Sequence, residues 1–305
     1  YAIEQSINVV AVKCFTEITP RVGFNYLLDL GFKHLVDQEV INGQVFSDVQ
    51  QPTALGGLTY GVTNLELTAA YAAIANKGVY TEPIFYTKIL DKDGNVIIDN
   101  TPKTTTVFKE STAFLLTSAM KDVVTKGTGR NLQLSNMTVA GKTGTTNSST
   151  DLWFAGFTPY YTCSVWAGYD SDETLPNTGT YRSYHQTLWH NVMERIHAGL
   201  EDPGFEPPSS VKQATVCSES GLLAGKGCKS ITEYFDQSNV PKTRCTQHYV
   251  APTPTPAPSA TPAPETDENG NQLTKPTPEP TKAPDKEPEQ PSKPDEGNDT
   301  EDGED

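Results

Sequence analysis

The 305 residues carry a formal charge of −15, yet residues 250–305 contain no Phe, Tyr or Trp, hold 13 of the 23 prolines and set 14 acidic against 4 basic side chains. A segment with so little apolar surface cannot offset about 1–2 kcal/mol of backbone entropy per residue, so a disordered, Pro-rich acidic tail is expected there. The acidity speaks against non-specific nucleic-acid binding, and no run of about 18 apolar residues offers a transmembrane helix.

The chain opens on Tyr1-Ala2-Ile3-Glu4-Gln5 with neither an initiator Met nor a basic leader, and reads as the interior of a longer protein. Residues 7–15 predict a short helix entered from Ser6, and residues 22–30 a second one closed by Gly31. Residues 42–62, with Pro52 and Gly56-Gly57, read as a loop. Thr63 followed by Glu66 forms a capping box, and Leu67, Ala70, Tyr71, Ile74 and Ala75 line one face of the helix until Gly78. Residues 84–90 and 96–99 predict a hairpin around Gly94. A helix over 111–125 buries Phe114 or Leu115 together with Leu116, Ala119, Met120 and Val123, and stops at Gly127-Thr128-Gly129. Residues 137–145, 152–157 and 162–169 then form an antiparallel meander. A last amphipathic helix, 184–197, places Leu188, Trp189, Val192, Met193 and Ile196 across that sheet. His190 and His197 have no third ligand nearby and are expected at the solvent edge.

Cys14 and Cys163 lie in apolar surroundings and are expected as buried small hydrophobes. Cys217, Cys228 and Cys245 cluster with His248, which completes a Cys-x-x-His. Three thiolates and an imidazole can hold zinc, but the usual Cys-x-x-Cys half is missing. The expectation is therefore no metal, and a disulfide between two of the three in an oxidising setting, with the pairing left open.

Lys142-Thr143-Gly144-Thr145 ends a strand with a cation, two hydroxyls and a residue without a side chain. An ammonium beside hydroxyls suits a substrate carboxylate, and Gly144 lets a substrate lie close to the strand. A polar strand end beside a turn would look the same over four residues. Ser6-Ile7-Asn8 adds information, because Ser-x-Asn followed about 134 residues later by Lys-Thr-Gly is the order found in serine acyl transferases with a Ser-x-x-Lys nucleophile.

With these motifs stand Pro52-Thr53-Ala54-Leu55-Gly56-Gly57, the Ala-rich helix ending at Gly78, Gly127-Thr128-Gly129, Asp151-Leu152-Trp153-Phe154-Ala155-Gly156-Phe157 and Val165-Trp166-Ala167-Gly168-Tyr169-Asp170. On these stretches residues 1–200 resemble the C-terminal two-thirds of the transpeptidase domain of class A, bifunctional penicillin-binding proteins. The stretch from Cys217 to His248 is similar to a cysteine-bearing extension in some Gram-positive members. The resemblance implies an α+β, β-lactamase-like transpeptidase fold, truncated at its N-terminal side, over 1–200. A cysteine-bearing extension over 201–249 and the tail over 250–305 follow.

It further implies a peptidoglycan D,D-transpeptidase that takes D-Ala-D-Ala stem peptides, is trapped by β-lactams and needs no cofactor. Ser6 would relay a proton, Asn8 would orient the nucleophile's lysine, and Lys142 would set the electrostatics. Thr143, Gly144 and Thr145 would bind substrate, with the Thr145 backbone N–H as one arm of the oxyanion hole. Asp151 and Trp153 would fix the neighbouring strand. The parent protein is expected to be membrane-anchored on the extracellular face of the cytoplasmic membrane of a Gram-positive-like bacterium. It would also carry a glycosyltransferase domain and work in a cell-wall synthesis complex.

One departure matters. The nucleophilic Ser-x-x-Lys should precede Ser6, whereas the two such strings present, Ser118-Ala119-Met120-Lys121 and Ser209-Ser210-Val211-Lys212, follow it. The second is expected in a linker. No nucleophile is therefore assigned in this chain, and the fragment is expected to be inactive. The other class of reading is a non-catalytic sensor or scaffold of the same fold at the cell wall.

Overall fold

Local sequence signals set most of the element boundaries in the computed structural model, which describes residues 1–171, 173–176, 183–248 and 268–269. The chain divides into two units, 1–250 and 251–305. Of the second unit only Glu268 and Asn269 are described, so the expected disorder of the tail lies outside the described residues.

In the first unit, α1 (Asn8–Ile18) and α2 (Pro20–Asp29) stand where two helices are predicted. Ser6 does not cap α1. The N-cap is Ile7, without a side-chain cap bond, because the Ser6 hydroxyl is engaged elsewhere. Cys14 is exposed on α1, against expectation, since α1 buries none of its residues.

Residues 42–62 are more ordered than a loop. β1 (Glu39–Ile41) and β2 (Gln44–Phe46) pair across Asn42-Gly43, both at positive φ (52° and 81°). Two adjacent left-handed residues give the turn that matches strand twist, and Asn-Gly is its strongest sequence signal. A 3-10 turn follows at Gln51–Leu55. The fully buried Asp48 carboxylate knots the segment, accepting from the N–H of Val36 and from the N–H and hydroxyl of Thr59, each at 2.7 Å.

The capping box of α3 (Asn64–Ala75) forms as read: the Glu66 N–H donates to Thr63 Oγ1 (3.2 Å) and the Thr63 N–H to Glu66 Oε2 (2.9 Å). β3 (Val79–Thr81), β4 (Lys88–Leu90), β5 (Val96–Asp99) and β6 (Thr104–Thr106) follow. The predicted hairpin is β4–β5, and β3–β6 is a second antiparallel pair, too short to show in the sequence. α4 (Glu110–Thr125) then leads to β7 (Ala140–Thr145), β8 (Asp151–Phe157) and β9 (Thr162–Gly168), which form one antiparallel sheet in the order β7-β8-β9.

α5 (Tyr184–Ile196) packs on β8 and β9 through fully buried Trp189 and Met193, and the Trp189 indole N–H donates to the Cys163 carbonyl at 2.9 Å. Phe154 of β8 joins them with Val124, Leu132 and Val139, while Phe157 and Ala140 meet Met120 in a separate cluster. Alternate residues of a strand face opposite sides, so β8 feeds two cores. These packed helices and antiparallel strands make the fold α+β.

His197 is not a solvent-edge residue. It is buried, with Nδ1 2.7 Å from the Met193 carbonyl and Nε2 2.7 Å from Thr158 Oγ1. Cys163 is half-buried, and burial pushes its thiol pKa up. Beyond residue 200, β10 (Val211–Cys217) and β11 (Ser230–Asp236) pair as a hairpin. The second Ser-x-x-Lys string therefore runs into β10 rather than lying in a linker. The hairpin rests on α4, where Phe114 and Tyr234 stack edge-to-face with centroids 5.1 Å apart.

Candidate active site

β7 is the edge strand of its sheet, so the Lys142-Thr143-Gly144-Thr145 run has one neighbour, β8, and one open side among the described residues. Side-chain alternation puts Thr143 and Thr145 on one face and Lys142 and Gly144 on the other. Gly144 pairs with Trp153, and a Cβ on it would come within 3.2 Å of the Trp153 Cβ.

The Lys142 ammonium donates to Ser6 Oγ at 2.8 Å and to the Thr143 carbonyl at 2.9 Å, bridging 136 residues of sequence. It forms no ion pair with a described residue, and burial pulls its pKa below the ordinary lysine value. A half-buried cation without a carboxylate partner is suited to an incoming anion.

Ser6 reaches this position through strained backbone. It adopts φ 55°, left-handed for a non-glycine residue, a conformation that costs about 1–3 kcal/mol and is kept where surroundings over-determine it. The turn is held by the Ile7 N–H to the Ala2 carbonyl (2.9 Å) and by Gly127, where a side chain would collide with the Glu4 carbonyl. Next to it, Thr128 Oγ1 lies 2.8 Å from Thr143 Oγ1.

The residues read from the sequence are thus only partly gathered. Ser6, Lys142 and Thr143 form one hydrogen-bonded group, and Thr145 stands exposed beside it. Asn8, the first residue of α1, is exposed and has no side-chain hydrogen bond among the described residues. Thr128 belongs to the group although the sequence shows it only as part of a helix stop, because its contact with Thr143 exists only once α4 lies along β7. Asp151 accepts the Trp166 indole N–H at 2.8 Å, and Trp153 pairs with Trp166, so both brace β8 against β9. Ser118 and Lys121 sit within α4, apart from this group.

The family described as "Penicillin binding protein transpeptidase domain" matches residues 1–194, and "Penicillin-binding protein 1A, C-terminal domain" matches residues 207–249. Penicillin-binding protein 1A of Clostridium perfringens is 32% identical over 260 residues, which cover 81% of this chain and 30% of that protein. Penicillin-binding protein 1A/1B of Bacillus subtilis is 32% identical over 266 residues, covering 80% of this chain and 28% of the relative. The crystal structure of penicillin-binding protein 1A from Haemophilus influenzae superposes with a TM-score of 0.68 at 23% identity, covering 80% of this chain and 40% of that one. The chain spans less than a third of the length of these curated relatives.

Proposed function

The chain belongs to the penicillin-binding protein transpeptidase family, and on that premise we propose that the protein it comes from is a peptidoglycan D,D-transpeptidase of the serine type. Its substrates are stem peptides ending in D-Ala-D-Ala, and β-lactams are trapped in the same acylation step. The observation that carries this reading is the Lys142 ammonium, without a carboxylate partner among the described residues and hydrogen-bonded to Ser6, on the edge strand β7.

An extended peptide adds to such an edge through main-chain hydrogen bonds, with its terminal carboxylate toward the cation and the hydroxyls of Thr143 and Thr145. Gly144 keeps the approach clear. The Thr145 N–H serves as one donor to the oxyanion that forms as the serine attacks the penultimate D-Ala carbonyl. Ser6 passes a proton toward the leaving D-alanine, and Asn8 orients the lysine of the nucleophile motif. The nucleophile itself is a Ser-x-x-Lys serine upstream of Ser6 in the whole protein.

The division is a transpeptidase portion over 1–200, an extension over 201–249 and a tail over 250–305. The parent also polymerises glycan, is membrane-anchored, and acts outside the cytoplasmic membrane within a cell-wall synthesis complex. Fluorescent penicillin tests the proposal: the whole protein is labelled covalently, and the 305-residue chain alone is not. A whole protein that folds and stays unlabelled would instead fit the sensor or scaffold.

A further inference from the structure

Cys217, Cys228 and Cys245 carry free thiols rather than a disulfide, and with His248 they bring one ligand atom each to within 4.8 Å of one another. The His248 Nδ1 lies 3.5 Å from Cys217 Sγ, 3.6 Å from Cys228 Sγ and 3.6 Å from Cys245 Sγ. We propose that these four residues bind a structural zinc ion that clamps the β10–β11 hairpin.

The distances carry most of the argument. A tetrahedral site with Zn–S near 2.3 Å and Zn–N near 2.1 Å requires S···N edges of about 3.6 Å. All three edges meet that value. Hydrogen bonding alone does not account for them, because the imidazole nitrogen has a single lone pair and cannot serve three thiols, whereas one cation at their centre satisfies all four ligands. A disulfide would use two sulfurs and leave the third sulfur and the imidazole without a role.

The surroundings agree. The other ring nitrogen, Nε2, is 3.0 Å from Glu219 Oε2, so the ring donates there and presents the Nδ1 lone pair inward, the tautomer a metal ligand needs. The Gly225 N–H donates to Cys228 Sγ at 3.3 Å. Such a donor disperses thiolate charge. Gly225 is the residue that fits there, since a side chain would run into the Cys245 carbonyl.

Three thiolates and an imidazole form a closed, soft donor set, which favours zinc over calcium, magnesium or manganese and leaves no open position for catalysis. The need for a clamp is also visible. Within 211–248 the buried hydrophobic side chains are Val211, Val216, Cys217 and Cys245, too few to stabilise a small unit, and units of that size usually rely on a metal or disulfides. The missing Cys-x-x-Cys half is supplied by topology. Cys217 ends β10, Cys228 precedes β11, and the Cys245 segment is tied in through Leu223, whose carbonyl accepts the Cys245 N–H at 2.8 Å.

The test uses the whole protein, purified without added metal or chelator. Elemental analysis should find about one zinc per chain, released as the thiols are titrated with an organomercurial. Cobalt exchanged into the site should show thiolate charge-transfer bands and strong tetrahedral d–d bands, lost in Cys245→Ser and weakened or shifted in His248→Ala. Cys14→Ser should change neither. If a variant fails to fold, the zinc content and cobalt spectrum of the wild-type protein still decide. Protein without zinc that takes up no cobalt, or whose mass shows two of the three cysteines joined, would overturn the proposal.

Discussion

The carbonyl of Glu4 fills the space that a side chain on Gly127 would need, so the end of α4 and the turn that presents Ser6 are fitted to each other. Gly127→Ala should push the turn away and separate Ser6 from Lys142, and misplacement of about 1 Å can cost on the order of a hundredfold in rate. We expect the rate of penicillin acylation of the whole protein, measured on the folded fraction because a clash with backbone also costs stability, to fall at least about tenfold. Gly129→Ala is the control, because its Cβ would meet nothing closer than 3.4 Å and should leave acylation intact.

Lys142 supplies a pH test. Burial lowers its folded-state pKa below the usual lysine value, so between that lowered pKa and about 10.4 the unfolded chain binds more protons than the folded one. Stability contributed at this residue therefore rises with pH through that window, and below it the folded state bears the full cost of the buried charge. The difference in unfolding free energy between wild type and Lys142→Met should rise toward alkaline pH. A difference that stays flat as pH approaches about 10.4 would contradict the depressed pKa.

Asp48 makes the loop over 42–62 sensitive to a single substitution. Its removal leaves the Val36 and Thr59 donors unsatisfied in a buried setting, at about 1–3 kcal/mol for such groups. Asp48→Ala should destabilise the unit by about 2–4 kcal/mol in urea unfolding, more than removal of an exposed carboxylate such as Asp93.

Asp236 should make the attachment of β11 to α4 acid-sensitive. Hydrogen bonds from Ser238 and Ser111 hold its pKa at about 2. A depressed carboxylate contributes stability that is complete above its unfolded value near 3.9 and is lost as pH falls through about 2. Hydrogen exchange in β11 should accelerate over that range, and Asp236→Asn should remove the acid dependence.

Much of this was legible in the sequence because it rests on local rules. The Thr63–Glu66 capping box, the face of α5 carrying Trp189 and Met193, and the three-strand meander all follow from short-range patterns. The Asn42-Gly43 hairpin was equally local, and the Pro- and Gly-rich surroundings masked it. Other features depend on distant segments meeting. Thr128 against Thr143 and His197 enclosed by Thr158 and Met193 have no signature in spacing alone, and for Cys217, Cys228, Cys245 and His248 the spacing shows the members of the cluster but not that all four side chains meet. At Ser6 the local rule pointed the wrong way: serine before a helix predicts a cap, and its hydroxyl went to Lys142 instead.

The edge position of β7 in its sheet also bears on how the protein behaves in a crowded solution. An unpaired strand is a template for another copy as readily as for a peptide, and edges that persist are guarded by charge or by residues that pair poorly. Lys142 together with Gly141 and Gly144 gives both kinds of guard within six residues. The motif that would welcome a short extended peptide is thereby also a poor nucleus for stacking sheet on sheet.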